Sequence, residues 1–258
     1  MRQLIPEPVD EVDPLDVYAA QTRQPHDGRP WVVLNMVASA DGASAIDGRA
    51  GGLGGPADQR VLSTLRLLAD VVLVGAGTIR AEGYGPHRPS AAMRAMREAR
   101  GQTPAAAFAI PTSSLDLDPS APLFTETEAS SRTMVFVPSS IDAARRVAFE
   151  GVADVVAMGD ATVDLSGVLA ELGWRGADVV LCEGGPILNG LLLAEGLIDE
   201  LCLTISPVLV GGPAARVIHG TLVLPNPLDL RLAGVLEADD GFLFLRYLRY
   251  FRRTVDTS

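Results

Sequence analysis

The sequence contains no lysine. All 21 basic residues among its 258 are arginine, which fits the codon composition of a GC-rich genome. Schiff-base chemistry and a Walker-type phosphate lysine are thereby excluded. There are only two cysteines, Cys182 and Cys202, too few for a disulfide framework or a cysteine-rich zinc site. Both lie in apolar, strand-like runs, where buried reduced thiols are expected, and this suits the cytoplasm. The three histidines, His26, His87 and His219, are far apart, and no metal-binding spacing such as HExxH occurs. No GxSxG nucleophile elbow is present. Acidic residues outnumber basic ones, 32 to 21, for a net charge of −11. That argues against nucleic acid or an anionic membrane as partner, while leaving room for a local basic pocket. No apolar run reaches the ~18–20 residues of a membrane span. The opening MRQLIPEPVDEVDPLD lacks the basic start and apolar stretch of a secretory leader.

What is present is an ordinary core-forming composition, 48% apolar and 21% charged, which excludes wholesale disorder. Residues 1–28 read as an acidic, poorly periodic extension, with a short helix in DPLDVYAAQTR. Residues 29–258 read as one domain. WVVLNMVAS, VVLVG, AAAFAIP, TMVFVP, VVAMG, DVVLCEGG and ELCLTISPVLVGG are apolar, β-branched runs expected as buried strands. PADQRVLSTLRLLAD, MRAMREARG, SIDAARRVAFEG, VDLSGVLAELGWRG and PILNGLLLAEGLID carry helical spacing, and GTIRAEGYGPHRPS reads as turn and loop. LRLAGVLEADDGFLFLRYLRYFR predicts a hairpin about ADDG. Strands alternating with helices and then standing alone predict a mostly parallel twisted sheet with helices on both faces and an antiparallel C-terminal edge.

Several strands end in residues suited to a ligand. VVLVG runs into Gly75-Ala76-Gly77-Thr78, either a phosphate-binding turn or a plain tight one; Arg80 stands where a dinucleotide fingerprint wants its third glycine. VVLCEGGPILNG places Glu183 and two glycines at a strand end with Pro186 opening a helix, a pyrophosphate site or an ordinary turn. VFVPSSID offers Ser139 and Ser140 as helix cap or phosphate ligands. Asp58 lies in the first turn of an amphipathic helix, where a carboxylate serves either the helix dipole or a bound heterocycle. Three such strand ends would share one edge of the sheet, the edge where open α/β sheets bind ligands.

In order, NMVASADG, LRLLADVVLVGAGTIRAEG and VVLCEGGPILNGLLLAEGLIDELCLTISPVLVGG resemble the reductase domain of the riboflavin pathway, the RibD C-terminal family, which has the dihydrofolate reductase-like fold. The resemblance spans residues 30–250. It implies NADPH as hydride donor and 5-amino-6-(5-phosphoribosylamino)uracil as substrate. It also implies cofactor contacts from Gly75, Ala76, Gly77, Thr78, Arg80, Gly159, Gly184, Gly185, Pro186, Ile187 and Leu188. Ser139 and Ser140 would lie near the adenosine 2′-phosphate, and Gly184–Gly185 would be a cis peptide. Substrate contacts are expected from Asn35, Ala38, Asp58, Leu62, Glu82 and Glu183, with Asp58, Glu82 and Glu183 the catalytic candidates.

The substrate half departs from the family pattern. Asn35 stands near a frequent lysine, Gly52 to Gly55 replace Trp-Ile-Thr-Ser, Gln59 replaces an arginine, and Ala81 to Tyr84 replace Ala-Asp-Asp-Pro. The H-x-E and P-C-x-x-C zinc signature of the accompanying deaminase is absent, so deamination is not expected. Pro56-Ala57-Asp58 is similar to the segment of bacterial dihydrofolate reductase whose aspartate contacts the pterin ring, so dihydrofolate is a second expected substrate. A nucleotide binder without catalysis is the competing expectation, and a purely structural module is a remote one. The aromatic tail strand is expected either to complete its own sheet as an edge or, by the resemblance, to pair across a homodimer.

Overall fold

The computed structural model describes residues 1–220 and 227–250. Seven strands run parallel: β2 (Trp31–Ser39), β3 (Val71–Leu73), β4 (Ala107–Pro111), β5 (Met134–Val137), β6 (Asp154–Ala157), β7 (Val179–Cys182) and β8 (Glu200–Ser206). Three more, β1 (Arg2–Ile5), β9 (Leu230–Glu237) and β10 (Leu243–Arg249), join beyond β8 as antiparallel strands. The order across the sheet is β1-β9-β10-β8-β2-β7-β3-β4-β5-β6. This is the expected parallel sheet with an antiparallel C-terminal side.

Alternation along the strands supplies two apolar faces. Val32, Leu34, Val180 and Cys182 pack against α7 (Leu165–Trp174) and α8 (Pro186–Ala194). On the other face, Val33, Leu181 and Cys202 pack against α1 (Pro14–Ala19) and α2 (Pro56–Leu68). Farther along that face Val72, Phe108 and Val135 meet α3 (Ala76–Glu82), α5 (Pro122–Thr125) and Phe149, which follows α6 (Ala143–Val147). Helix α4 (Ala91–Ala99) sends Arg97 inward. The Arg97 guanidinium donates to the carbonyls of Arg66, Leu67 and Ala69 at 2.7–2.9 Å, satisfying groups left unpaired at the end of α2.

Three readings of the sequence are corrected. AGTIRAE, read as loop because of its glycines, is helix α3, closed by Gly83 in the left-handed conformation. The tail strand β10 lies between β8 and β9, hydrogen-bonded on both sides, so it is neither a free edge nor available to pair across a dimer; its last residues, 251–258, lie outside the described ones. Residues 1–28 are woven into the sheet: β1 pairs with β9, and Tyr18 of α1 is buried.

The reason for that weaving is electrostatic. Asp199 and Glu200 are fully buried at the start of β8. Asp199 accepts from both terminal nitrogens of Arg29 (2.6 and 2.8 Å) and from the Val32 amide (2.8 Å), and its Oδ1 lies 2.9 Å from His26 Nε2. Glu200 accepts from Arg23 twice, from Arg246 and from the Trp31 indole. An acid-rich, aperiodic segment thus carries the arginines that neutralise two interior carboxylates. Burial works against ionisation of Glu200, but Arg23 and Arg246 outweigh it and hold the group down at about 2.

Glu200→Gln should destabilise the fold by about 3–5 kcal/mol, because it strands two buried guanidinium groups; thermal and urea unfolding measure this. The folded pKa lies below the ordinary 4.5. Wild-type stability from this group is therefore complete above pH 4.5 and is lost as the pH falls toward 2. The variant should lack that part of the acid transition.

Candidate active site

Strands β3 and β7 are neighbours, and both end in glycine where a helix begins. The Gly75 amide donates to the Gly184 carbonyl at 2.7 Å, joining the two turns. Gly184–Gly185 is cis, as the resemblance implies. Gly75 and Gly185 are the N-caps of α3 and α8, and neither helix has a side-chain cap. First-turn N–H groups are therefore left for an anion. A Cβ on Gly185 would stand 2.5 Å from Thr78 Oγ1, and one on Gly75 3.4 Å from the Gly185 nitrogen, so side chains would fill the cradle.

A cleft of about 590 Å³ opens here. Of the expected cofactor residues, Gly75, Ala76, Gly77, Thr78, Arg80, Gly185, Pro186, Ile187 and Leu188 line it. Ile187 is 66% exposed, an apolar side chain left facing the opening. Thr112, Ser113, Ser114 and Thr162 also line the cleft and were missed. Their signal was available: AIPTSS ends β4 in hydroxyl residues just as VFVPSS ends β5. Ser139 and Ser140 sit at the adjoining strand end, exposed and outside the cleft lining; their amides donate to the carbonyls of Gly159 and Asp160. Gly159 also lies outside the lining and is a turn residue, with φ +88° and no room for a Cβ beside the Thr162 carbonyl.

The expected substrate residues divide between the two faces of the sheet. Asn35 pairs with Cys202 and Val37 with Thr204, on the face covered by α2. Ala38, three residues beyond Asn35, is buried on the opposite face with Met36. On α2, Asp58, Leu62 and Arg66 follow one another at four-residue spacing, so they share a helix face. The Asp58 carboxyl is half-buried, and burial raises its pKa while the Thr204 hydroxyl opposes the shift. The glycines before α2, which depart from the family pattern, have a spatial reason: a Cβ on Gly54 would lie 2.9 Å from Asp58 Oδ2, and one on Gly55 3.0 Å from the Phe242 ring.

The other two carboxylates have structural partners. Glu82 accepts from the Ala50 amide at 2.8 Å, pinning the glycine loop. Glu183 is buried and accepts from Arg66 Nε (2.7 Å), Arg66 Nη2 (2.6 Å) and the Tyr84 hydroxyl (2.8 Å). Sequence reading offered Glu183 as an acid facing substrate. With both oxygens in charge-assisted bonds, it is instead anchored inside the protein. Burial lowers the nearby His87 to about 4, aided by the fields of Arg66 and Arg97, so His87 is neutral near pH 7. Among the described residues no cluster suited to a metal ion occurs.

A mostly parallel sheet with a glycine-lined cleft at its strand ends and a carboxyl on the first helical turn of the opposite face places the protein in the dihydrofolate reductase-like class. In keeping with this, the fold matches dihydrofolate reductase from Enterococcus faecalis, solved with NADP(H) and RAB-propyl, at a TM-score of 0.50 and 12% identity, over 86% of this chain and 97% of that one. It matches a pyrimidine reductase-like protein from Corynebacterium diphtheriae at a TM-score of 0.82 and 24% identity, over 93% of this chain and all of that one. The chain belongs to the RibD C-terminal domain family, matched over residues 30–244. A relative is the 2,5-diamino-6-ribosylamino-4(3H)-pyrimidinone 5′-phosphate reductase of Methanothermobacter thermautotrophicus, 30% identical over 73% of this chain and 82% of its own length.

Gly159→Ala should destabilise the protein by about 1–3 kcal/mol more than Gly176→Ala, as judged by urea unfolding. Both glycines have positive φ, but only Gly159 also meets backbone atoms.

Proposed function

We propose that the protein is an NADPH-dependent oxidoreductase that reduces the ribose of a ribosylaminopyrimidine 5′-phosphate to ribityl. The observation that carries this is the joined pair of glycine turns, Gly75–Thr78 with Gly184–Leu188, bordering a cleft of dinucleotide size in a chain of this family. The residues fit the cofactor. Uncapped first turns and the hydroxyls of Thr78, Ser113 and Ser114 suit phosphates, while Ile187, Leu188 and Leu191 offer an apolar wall. NADPH, when bound, supplies a hydride. The chain's own part is to bring the two ligands together at the strand ends beside the glycine turns and to position a proton.

Asp58 is our candidate for that proton. Its pKa is raised by burial, so it stays protonated to higher pH than an exposed aspartate. Glu82 and Glu183 are read as holding loop and backbone. Asp58 also supports a second reading, reduction of dihydrofolate. A carboxylate accepts only, and the 2-amino-4-oxopyrimidine edge of a pterin offers it two donors. The ring printed in the Methanothermobacter relative's name is also a 2-amino-4-oxopyrimidine. A uracil ring presents a carbonyl at that place, so the uracil substrate suggested by the resemblance ranks behind the diaminopyrimidinone.

A homodimer is proposed through a face of the sheet, since the apolar Leu230 and Leu232 are exposed at alternate positions of β9. Light scattering should give twice the chain mass. A cytoplasmic location suits two buried free cysteines. Among the described residues no helix is long and apolar enough to cross a membrane.

The direct test follows NADPH oxidation at 340 nm with the diaminopyrimidinone phosphate, its uracil counterpart and dihydrofolate. The diaminopyrimidinone should be preferred to uracil by about tenfold or more in kcat/KM, and Asp58→Asn should shrink that preference. The rate should fall as pH rises through the raised Asp58 pKa, while the diaminopyrimidinone preference, which needs the ionised carboxylate, should grow, and the variant should lose both trends. Oxidation with none of the three would leave a nucleotide binder without catalysis.

A further inference from the structure

Glu183 immediately precedes the Gly184–Gly185 turn, and nothing in the reaction described above uses its side chain. Its surroundings are nevertheless the most completely built polar site near the cleft. The Arg66 guanidinium meets both carboxylate oxygens in a fork, and the Tyr84 hydroxyl adds a third bond. The guanidinium lies over the Tyr84 ring at 5.6 Å and near that of Phe108 at 6.0 Å, fixed by aromatic faces as well as by charge. Tyr84 in turn meets Phe108 edge to face. Each element of this cluster belongs to a different part of the chain: Arg66 to α2, Tyr84 to the turn after α3, Phe108 to β4.

The backbone of the same residue is pinned on the other side. The Glu183 amide donates to the Leu73 carbonyl at 3.0 Å, and the Gly184 carbonyl accepts from the Gly75 amide at 2.7 Å. Gly184 itself has φ +86°, and neither it nor Gly185 has a side chain with which to fix its orientation. The first side chain before the turn is therefore the handle by which its peptide planes are held. A fork of two bonds fixes orientation as well as distance, which a single hydrogen bond does not.

We propose that Arg66 and Tyr84 are positioning residues for the cofactor cradle, acting through the Glu183 carboxylate. Arg66 shares its helix face with Asp58 and Leu62, so one helix both contributes to the substrate face and, across the sheet, sets the glycine turn that receives the dinucleotide. The cradle is held by a contact on the face opposite to α8, so it stays open to the ligand. This inference rests on the cofactor reading above.

The test measures NADPH affinity by its fluorescence and, separately, thermal stability, for wild type, Arg66→Lys, Tyr84→Phe and Glu200→Gln. Arg66→Lys keeps the charge but removes the fork. It should weaken NADPH binding about tenfold and raise the KM for NADPH in step, with the substrate KM changed less than twofold. Tyr84→Phe, which keeps the ring against Phe108, should weaken binding about threefold. Glu200→Gln, remote from the cleft, should lower the melting temperature and leave NADPH affinity at the wild-type value. If wild type binds NADPH and both Arg66→Lys and Tyr84→Phe match it while only melting earlier, the cluster is structural and the inference is overturned. If wild type itself fails to bind NADPH, the cofactor reading falls, and this inference falls with it. Should Arg66→Lys not fold, Tyr84→Phe alone decides.

Discussion

Two adjacent carboxylates with no access to water impose the main constraint on this molecule. Asp199 and Glu200 begin the strand on which the parallel and antiparallel halves of the sheet meet. An interior carboxylate is tolerable only when paired and hydrogen-bonded, and the partners come from far away in the chain. Arg23, His26 and Arg29 come from the N-terminal segment, Trp31 and the Val32 amide from β2, and Arg246 from β10. Meeting that demand draws the segment before β2 and the last strand to the same place. The consequence reaches the opposite edge: with β2, β8 and β10 held at one end, their other ends present Asn35, Val37 and Thr204 at a fixed height beneath Asp58.

The site follows a division of labour across one sheet. The glycine turns and the apolar wall of the cleft lie at the strand ends between α3 and α8; the α2 side bears Asp58, Leu62 and the strand residues opposite them. Strand periodicity enforces this, since neighbours in sequence face opposite ways. Asn35 and Ala38 therefore cannot serve one ligand from one side. Carboxylates that look alike in the sequence are separated by what surrounds them. Glu183 meets an arginine fork, Glu82 a loop amide, and Asp58 is half-buried beside the Thr204 hydroxyl, where burial raises its pKa.

How much of this was legible beforehand depends on the range of the interaction. The strands other than β1, and most helices, were legible because apolar runs and helical spacing are local properties. So were the two glycine turns, because a strand that runs into small residues is itself a local signal. Asp58 was found by its position in a first turn. The role of Glu183 was not legible, because its partner Arg66 lies 117 residues away in sequence and nothing near either residue announces the other. Helix α3 was missed because glycine's poor helix propensity outweighed the burial of Ala76 and Ile79. The hydroxyl row at Thr112–Ser114 was overlooked although its twin at Ser139–Ser140 was noticed; the topology places the former against the cleft and the latter outside its lining.

The short outermost strands carry a further consequence, for colloidal behaviour. The outer edges of a large sheet are where unpaired backbone groups can become templates on which a second chain grows, and at β1 Gln3 already exchanges both of its backbone bonds with Val9. Here β1 has four residues and is followed at once by Pro6, which has no N–H to donate; Arg2 also pairs with Glu237 across that margin. At the far side β6 also has four residues, and its first, Asp154, is engaged by Arg132 and Arg175. Both margins are too brief and too charged for ordered stacking, so a large sheet is kept from becoming the seed of a fibre.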